Sequence, residues 1–479
     1  MDSKLVLVLA AAVVLFLVVL RRPMVGLALY VGSIGLDYLL ALGGLGASSL
    51  FSVGKWVLVL LAVATLFRLV TNRFYISPPI RRLNLWILLV VCAVWLSVAF
   101  ASYGHSIVQA SKFSATALVP FIIWTHVRTP AHFRQLLWAI GLGTALSAAI
   151  GLLQFAGKVP VVTQQDVEET EDTRGRVIET EEDGNITGRR FAGVCRNPNS
   201  YAMLLMGGIP TLFYLAMTRR WPVVAAPALL ACIAALWLTM SRTVIFSFML
   251  FLPLVIYWLW KAGLLTGRRC IVGGLVAVAA YSTFSIAGGS LPNRLLAIAG
   301  SRRDASTEAR FQVLGGGLRA FIENPITGVG LDDMSKSGYN PSGNAAHDAL
   351  SSILGELGGL GTVAVLGLIW QTFVLLRAVE WKARENPKLL ELIIFLKAGL
   401  VAKFFEGFGH SVYDDRYFLI YLGLFAALYQ IVVATTSAEN SSQPTAVAAP
   451  PTVSPSGRRR GRWQGGYSRG GPAKKHVAC

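Results

Sequence analysis

The chain has 479 residues, of which 54% are hydrophobic and only 14% are charged. Soluble proteins carry about 25% charged residues, so this composition excludes an ordinary soluble enzyme and indicates a membrane protein. The net charge of +18 is explained by basic cytoplasmic loops and a basic tail, without a nucleic-acid partner. The five cysteines form no spaced cluster, so neither a disulfide framework nor a zinc site is indicated.

Long apolar runs recur along the whole chain. Most are about 17–25 residues long, the length at which a helix crosses the hydrocarbon core of a bilayer. We therefore predict an all-α polytopic membrane protein with about 12–13 transmembrane helices. The predicted spans are 5–20, 24–46, 53–70, 85–102, 107–127, 135–157, 199–217, 222–240, 243–260, 270–288, 355–377, 390–409 and 416–434.

Lys and Arg recur in every second connection between these spans. Because cytoplasmic loops carry an excess of Lys and Arg, these connections predict the cytoplasmic side. The N-terminus is then expected outside and the C-terminus inside. The run at 5–20 is followed by Arg21-Arg22-Pro23 and not by a small-residue cleavage site, so we interpret it as a retained span.

Two connections on the non-cytoplasmic side are long, residues 158–198 and 289–350. The first is acidic in its middle, which we expect to be a solvated excursion, and then turns basic. The transmembrane bundle is predicted to occupy residues 1–434. Residues 435–479 are rich in Ser, Pro, Gly and Arg, and they are predicted to form a disordered, basic cytoplasmic tail. Its arginines either contact anionic membrane lipids or only reinforce the topology.

Arginine is frequent on the non-cytoplasmic side, against the usual bias. A guanidinium presents a planar fork of donors that suits phosphate and diphosphate groups. The alternative for each residue is pairing with acidic residues of the first long loop. That alternative is weakest for Arg242, at a tight turn between two apolar runs, because unpaired charge there is costly. These arginines are Arg189, Arg190, Arg196, Arg242, Arg294, Arg302, Arg303, Arg310 and Arg319.

The stretch from Arg310 to Gly361 is too polar and too rich in Gly, Pro and Asn to cross a membrane. Apolar residues between Phe311 and Phe321 recur at helical spacing and predict a surface helix. This helix should stop at Asn324-Pro325, because the residue before a proline disfavours the helical region. Gly315-Gly316-Gly317 weaken it by about 1 kcal/mol each relative to Ala. They indicate either a close backbone approach or mobility.

His347 is the best candidate for acid–base chemistry, because a His at the outer end of a helix can act as a general base near neutral pH. Asp348 beside it either orients a partner or caps the helix start, and capping is the commoner role. A second polar cluster, His410, Asp414, Asp415 and Arg416, either lines the same cavity or ends two helices. For Asp332-Asp333, an exposed loop pair is more expected than a metal site.

Seven short motifs follow one another along the chain: Arg190-Phe191-Ala192-Gly193, Asn197-Pro198-Asn199, Ser241-Arg242, Arg310, Asn324-Pro325-Ile326-Thr327-Gly328-Val329-Gly330, His347 and Glu356-Leu357-Gly358-Gly359-Leu360-Gly361. They resemble the shared core of the O-antigen ligases and the related O-antigen polymerases. The resemblance covers about 185–375 by motif and depends on the order and spacing of these motifs. One departure is Asp348, where the family usually has Asn, and this change bears on acceptor contact.

The resemblance implies glycosyl transfer at the periplasmic face of the bacterial inner membrane, within an all-helical bundle. The implied donor is a glycan on undecaprenyl diphosphate, and the implied acceptor is lipid A-core or a similar glycan, with no metal or other cofactor. By motif, Arg190, Arg242 and Arg310 are expected to bind the diphosphate, and His347 and Arg310 to be catalytic. Candidate supporting residues are Asp348, Arg196, Arg319, His410 and Asp414.

Two alternatives stay open on the sequence. The same residues would serve a polymerase that joins lipid-linked repeat units of an O-antigen or exopolysaccharide. From another class, the chain could carry a lipid-linked sugar or another anion across the membrane. A carrier is expected to place charged residues near the bilayer midplane, whereas most charges here fall at the outer boundary, which favours an enzyme.

Overall fold

The computed structural model describes most residues of the predicted spans. It describes the backbone alone for 35, 53, 105, 171–172, 176–180, 186–190, 222, 305–310 and 436–442. The described residues are 14, 16–36, 53–71, 76–101, 105–158, 171–172, 176–180, 186–195, 197–217, 222–267, 269–271, 273–274, 278, 305–331, 333–334, 337–339, 348–408 and 415–442. By contacts the chain divides into residues 1–435 and 436–479, and every contact discussed below lies within the first unit.

The described part of the chain is almost entirely helical. The helices are α1 Pro23–Ser33, α2 Val53–Thr71, α3 Pro78–Ala99, α4 His105–Ala117, α5 Val119–His126, α6 Pro130–Phe155, α7 Pro198–Met217, α8 Pro222–Leu238, α9 Arg242–Lys261, α10 Ala305–Glu323, α11 Leu357–Lys382, α12 Pro387–Glu406 and α13 Arg416–Ser442. Within these residues, 8 helical segments are long and apolar enough to cross a membrane. The prediction of an all-α polytopic membrane protein is confirmed.

Some predicted spans need comment. Most of 5–20 and 270–288 lies outside the described residues. The predicted span 390–409 corresponds to α12, which is not among the 8 long apolar segments. It carries charged residues, including Lys397 and Lys403, but these are paired with carboxylates and the helix is buried along most of its length. Pairing lets a helix with charged side chains pack inside the bundle.

Helices α7 and α13 form the centre of the bundle. In the most apolar 18-residue stretch of each helix, 83% of the residues of α7 and 72% of those of α13 are buried inside the protein. These shares are larger than in the other long apolar helices described. Small residues allow close approach: a Cβ on Gly208 of α7 would meet Thr144 of α6, and one on Gly207 would meet the ring of Tyr417. The Tyr421 hydroxyl donates to the Gly207 carbonyl at 3.2 Å. Close packing on neighbouring helices therefore fixes the positions of both α7 and α13 in the bundle.

The first long loop contains strands that the sequence analysis did not predict. Its described backbone forms a three-stranded antiparallel sheet, β1 Glu171–Asp172, β2 Arg176–Thr180 and β3 Ile186–Phe191, in the order β1-β2-β3. Val177 and Ile178 lie in β2, and Val177 is paired with Arg190 of β3. These strands were not predicted from the sequence, because acidic residues dominate this segment. Strand pairing satisfies backbone donors and acceptors regardless of side-chain charge.

The predicted surface helix is confirmed as α10, which ends at Glu323, directly before Asn324-Pro325. Gly317 explains part of the glycine run. A Cβ added to Gly317 would lie 2.8 Å from the Cα of Ser351. The close backbone approach, one of the two expected explanations, is therefore found at Gly317, whereas Gly315 faces open space.

Candidate functional site

The two glycine-rich motifs on either side of His347 pair with each other through their backbones. The N–H of Val329 donates to the Gly355 carbonyl at 3.0 Å, and that of Gly330 to the Glu356 carbonyl at 3.1 Å. In return, the N–H of Gly359 donates to the Pro325 carbonyl at 2.8 Å, and that of Leu360 to the Ile326 carbonyl at 3.2 Å. We call residues 325–330 and 355–360 together the glycine clamp.

Two glycines make this clamp sterically possible. Gly328 has φ 69°, and Gly358 has φ 62° and ψ −161°. A Cβ on Gly358 would lie 2.5 Å from the nitrogen of Gly328, and one on Gly328 would lie 2.7 Å from the nitrogen of Gly358. The φ/ψ values of Gly358 belong to a region that is essentially restricted to glycine. The backbone contact thus explains why glycine occupies both positions.

The clamp interrupts a long helical segment. A short turn at Ala349–Ser351 continues as a π-helical turn at Ser352–Glu356, and α11 begins at Leu357. Such π-helical turns are often found at functional sites. The Ser97 hydroxyl at the end of α3 donates to the Glu356 carbonyl. The broken helix is thereby attached to α3 as well as to α10.

Asp348 caps the segment that follows His347. Its Oδ1 accepts from the Ser351 N–H at 2.7 Å and its Oδ2 from the Ser351 hydroxyl at 2.6 Å. The N–H of Ala349 donates to the Gly407 carbonyl at 2.9 Å. Capping, the commoner of the two expected roles, is therefore what Asp348 does here. His347 itself lies outside the described residues.

Arg190 lies on β3, next to the point where the sheet is attached to the bundle. In the antiparallel ladder it is paired with Val177. The ring of the following residue, Phe191, packs edge-on against Phe155 at the end of α6 (5.7 Å between centroids) and Tyr201 near the start of α7 (6.1 Å). Position 190 is thus held beside the end of α6 and the start of α7. Arg196 lies outside the described residues.

Arg242 is the first residue of α9, after a tight turn in which Met240 has φ 49°. Arg269, beyond the end of α9, pairs with Glu391 near the start of α12 at 2.6 Å. Lys397, further along α12, lies 4.3 Å from the ring centroid of Trp258 in α9. These contacts show that α9 and α12 run antiparallel, so Arg242 and the end of α12 lie at the same end of the bundle.

Arg310 and Arg319 both belong to α10. Arg310 is seven residues, or about two turns, before Gly317, the residue against Ser351. Arg319 is exposed and pairs with Glu323 at 2.9 Å. Glu323 also accepts from the Tyr339 hydroxyl at 2.5 Å, and this bond, followed by that from Arg319, lowers its pKa. The bond from Tyr339 to Glu323 therefore tethers the following loop to α10.

Together these contacts define one end of the bundle, which we call the site end. Here α3, α6 and α12 finish and α7, α9 and α11 begin. The opposite ends of α3, α6 and α12 carry Arg81, Arg82, Arg134 and Lys388 in or near their first turns. The structure thus brings the elements that carry Arg190, Arg242 and Asp348 to one end. His410 and Asp414 lie outside the described residues.

One buried charged cluster at the site end joins Asp415 to Lys403 and Glu406, two residues that the sequence analysis did not single out. Lys403 Nζ lies 2.8 Å from Glu406 Oε2 and 3.3 Å from Asp415 Oδ2, and it donates to the Met203 carbonyl of α7 at 2.9 Å. The side chains of Lys403 and Glu406 are 1% and 0% exposed. The available signal was a Lys and a Glu three residues apart in an apolar run.

Asp333, considered with Asp332 as a metal pair, is buried and not an exposed loop residue. Its side chain is fully buried, and neither of its carboxylate oxygens has a hydrogen-bond partner among the described residues. Asp332 lies outside those residues. The described residues contain no group of three or more His, Cys, Asp or Glu that could hold a metal ion.

The described residues form a polytopic helical membrane protein, and the elements that carry Arg190, Arg242 and Asp348 lie at one end of its bundle. Residues 227–366 match a family model described as O-antigen ligase. This match supports the resemblance of residues 227–366 to the O-antigen ligase and polymerase family, whose members are membrane glycosyltransferase-like enzymes. The match includes α9, α10 and the glycine clamp, whereas β3 and α12 lie outside it. No curated protein matches the chain significantly.

Proposed function

We propose that this protein is an O-antigen ligase-like glycosyltransferase of the bacterial inner membrane. It moves a glycan from undecaprenyl diphosphate to lipid A-core or a similar acceptor at the periplasmic face. The observation that carries the proposal is the family match over 227–366, because that region includes Arg242, Arg310 and His347, and its described elements meet at the site end.

The donor's leaving group explains the need for arginines. Cleavage of the bond between the anomeric carbon and the diphosphate leaves negative charge on the diphosphate. Donors fixed in advance at that position stabilise the charge as it develops, without a metal. Arg guanidinium groups bind such oxygens in pairs. We assign this role to Arg190, Arg242 and Arg310.

The acceptor must lose a proton as it attacks. In the proposed step, an acceptor hydroxyl oxygen bonds to the anomeric carbon, the carbon–oxygen bond to the diphosphate breaks, and His347 takes the hydroxyl proton. Undecaprenyl diphosphate leaves with the bonding electrons. His347 is suited to this role because its ordinary pKa lies close to neutral pH. It directly precedes Asp348, whose cap and whose neighbour Ala349 are held to the bundle.

The distribution of basic residues supports a periplasmic site. Arg81, Arg82, Arg134 and Lys388 lie at the end of the bundle opposite the site end. Since Lys and Arg near helix ends mark the cytoplasmic side, the site end is expected to face the periplasm. Nucleotide sugars are cytoplasmic metabolites, so a lipid-linked donor is the consistent choice there.

The test uses purified protein in liposomes that contain a repeat unit linked to undecaprenyl diphosphate. Products are compared with and without a lipid A-core acceptor. We expect glycan on the acceptor only when the acceptor is added, and no transfer by His347→Ala reconstituted to the same amount. A ladder of repeat units on the carrier without acceptor would instead identify a polymerase. No transfer to lipid A-core or to a native acceptor extract would support the carrier alternative.

A further inference from the structure

The buried cluster of Lys403, Glu406 and Asp415 connects three helices at the site end. Lys403 and Glu406 belong to the last turn of α12, and Asp415 directly precedes α13. Through its bond to the Met203 carbonyl, Lys403 also reaches α7. The last turn of α12 is therefore fixed to both central helices of the bundle by one ammonium group.

The residue that follows this turn holds the segment after His347. Gly407 comes directly after Glu406, and its carbonyl accepts the hydrogen bond from the Ala349 N–H at 2.9 Å. Ala349 is two residues after His347 and one after the cap Asp348. Met203 is thus linked to Ala349 by two hydrogen bonds, one from Lys403 and one to Gly407, with the last turn of α12 as the covalent connection between them.

Stability alone does not account for such a cluster. Taking ionised groups out of water is costly, and replacing a buried ion pair by apolar or neutral residues of similar volume is often neutral or stabilising. Here the Oε1 atom of Glu406 has no hydrogen-bond partner among the described residues, so part of the cost is not offset. A cluster of this kind gives directional constraint, since each of its bonds requires a defined geometry.

We propose that Lys403 and Glu406 are positioning residues of the transferase site, which hold the end of α12 so that Gly407 fixes the start of the segment that follows the general base. The inference rests on the proposed function for its kinetic part. Displacement of a catalytic group by about 1 Å can lower a rate about 100-fold. The cluster therefore acts on the rate of transfer and not on donor binding.

The test compares Lys403→Met/Glu406→Gln with the wild-type protein. This pair of substitutions keeps side-chain volume and net charge, and Asp415 keeps its Oδ1 bond from the Phe418 N–H at 2.8 Å. The matched control is Glu391→Gln, which removes the ion pair with Arg269 near the other end of the same helix. Glu406→Gln alone is a milder variant, in which Lys403 keeps Asp415 and the Met203 carbonyl.

The first measurement is hydrogen exchange of the peptide that begins at Ala349. We expect faster exchange there in the double variant and no change in Glu391→Gln, and thermal unfolding of each variant shows that it is folded. The second is transfer kinetics, where we expect kcat to fall about 10- to 100-fold with donor KM unchanged. Glu406→Gln, which keeps the fold, should show a smaller loss of the same kind.

The outcomes separate the possible failures. Unchanged exchange at Ala349 in a folded double variant or in Glu406→Gln overturns the inference, whatever the kinetics. Faster exchange with wild-type kcat shows that the cluster holds the segment without serving transfer, which also overturns it. A wild-type protein that transfers no glycan overturns the proposed function, and the exchange measurement still reports on the link between the cluster and Ala349.

Discussion

Gly328 and Gly358, 30 residues apart in the sequence, meet backbone to backbone with positive φ at both residues. Neither can accept a Cβ without striking the other's backbone nitrogen. This contact joins a position before His347, the proposed general base, to a position after it. Two short glycine motifs are thereby parts of one structural unit.

We predict that Gly358→Ala destabilises the protein by about 1–3 kcal/mol, because φ 62° with ψ −161° is strained for any residue with a Cβ. Transfer activity should fall with it. Thermal unfolding in detergent measures the effect. The control is Gly315→Ala in α10, where a Cβ meets nothing within 4 Å and Ala is favoured in a helix by about 1 kcal/mol. Equal midpoints for the two variants would contradict the proposed clamp.

Arg242 and Arg319 provide a matched pair for the diphosphate assignment. Arg242→Lys keeps the charge but loses the planar fork of donors, and we expect transfer to fall about 100- to 1,000-fold, as on loss of a preorganised donor. Arg319→Lys should remain close to wild type, since Arg319 is exposed and pairs with Glu323. Rates in liposomes at matched protein amounts are the measurement. The assignment fails if Arg242→Lys transfers as fast as Arg319→Lys.

Asp333 is expected to lower the stability of the protein. A fully buried carboxylate without a hydrogen-bond partner among the described residues loses its hydration without compensation. Asp333→Asn should raise the free energy of unfolding by about 1–3 kcal/mol. Asp348→Asn serves as the control, because Asn caps a helix as well as Asp does. A lower thermal midpoint for Asp333→Asn would show that the carboxylate has a stabilising partner.

The tether between α10 and the following loop should depend on pH. The hydroxyl of Tyr339, and then Arg319, lower the pKa of Glu323, and the bond to Glu323 raises the pKa of Tyr339. The coupling is therefore fully present above the ordinary pKa of Glu and is lost as the pH falls through the lowered value. It is also lost in alkali, as Tyr339 ionises.

A double-mutant cycle measures this coupling. Tyr339→Phe, Glu323→Gln and the combination are compared with wild type by thermal unfolding at neutral and at acid pH. We expect the effects of the two substitutions to be non-additive at neutral pH and additive in acid. Non-additivity of the same size at both pH values would be inconsistent with an ionised Glu323 as the acceptor.

Sequence patterns identified the elements whose cause is local. Apolar runs of spanning length predicted the helices, and Asn324-Pro325 predicted the end of α10. Gly328, Gly358 and the Ser241-Arg242 turn were also recognised as parts of short sequence motifs. The β-ribbon was missed because its acidic side chains obscure the strand pattern, and the pairing of β2 with β3 satisfies the backbone.

By itself, the sequence determined that the chain is a helical membrane protein, where most helices begin and end, and which motifs it shares with a family. Only the tertiary structure decided which motifs touch. The contacts of Gly328 with Gly358, Gly407 with Ala349, and Lys403 with Met203 join residues from distant parts of the chain. Local patterns report the environment of a residue, whereas its partner depends on how all the helices pack together.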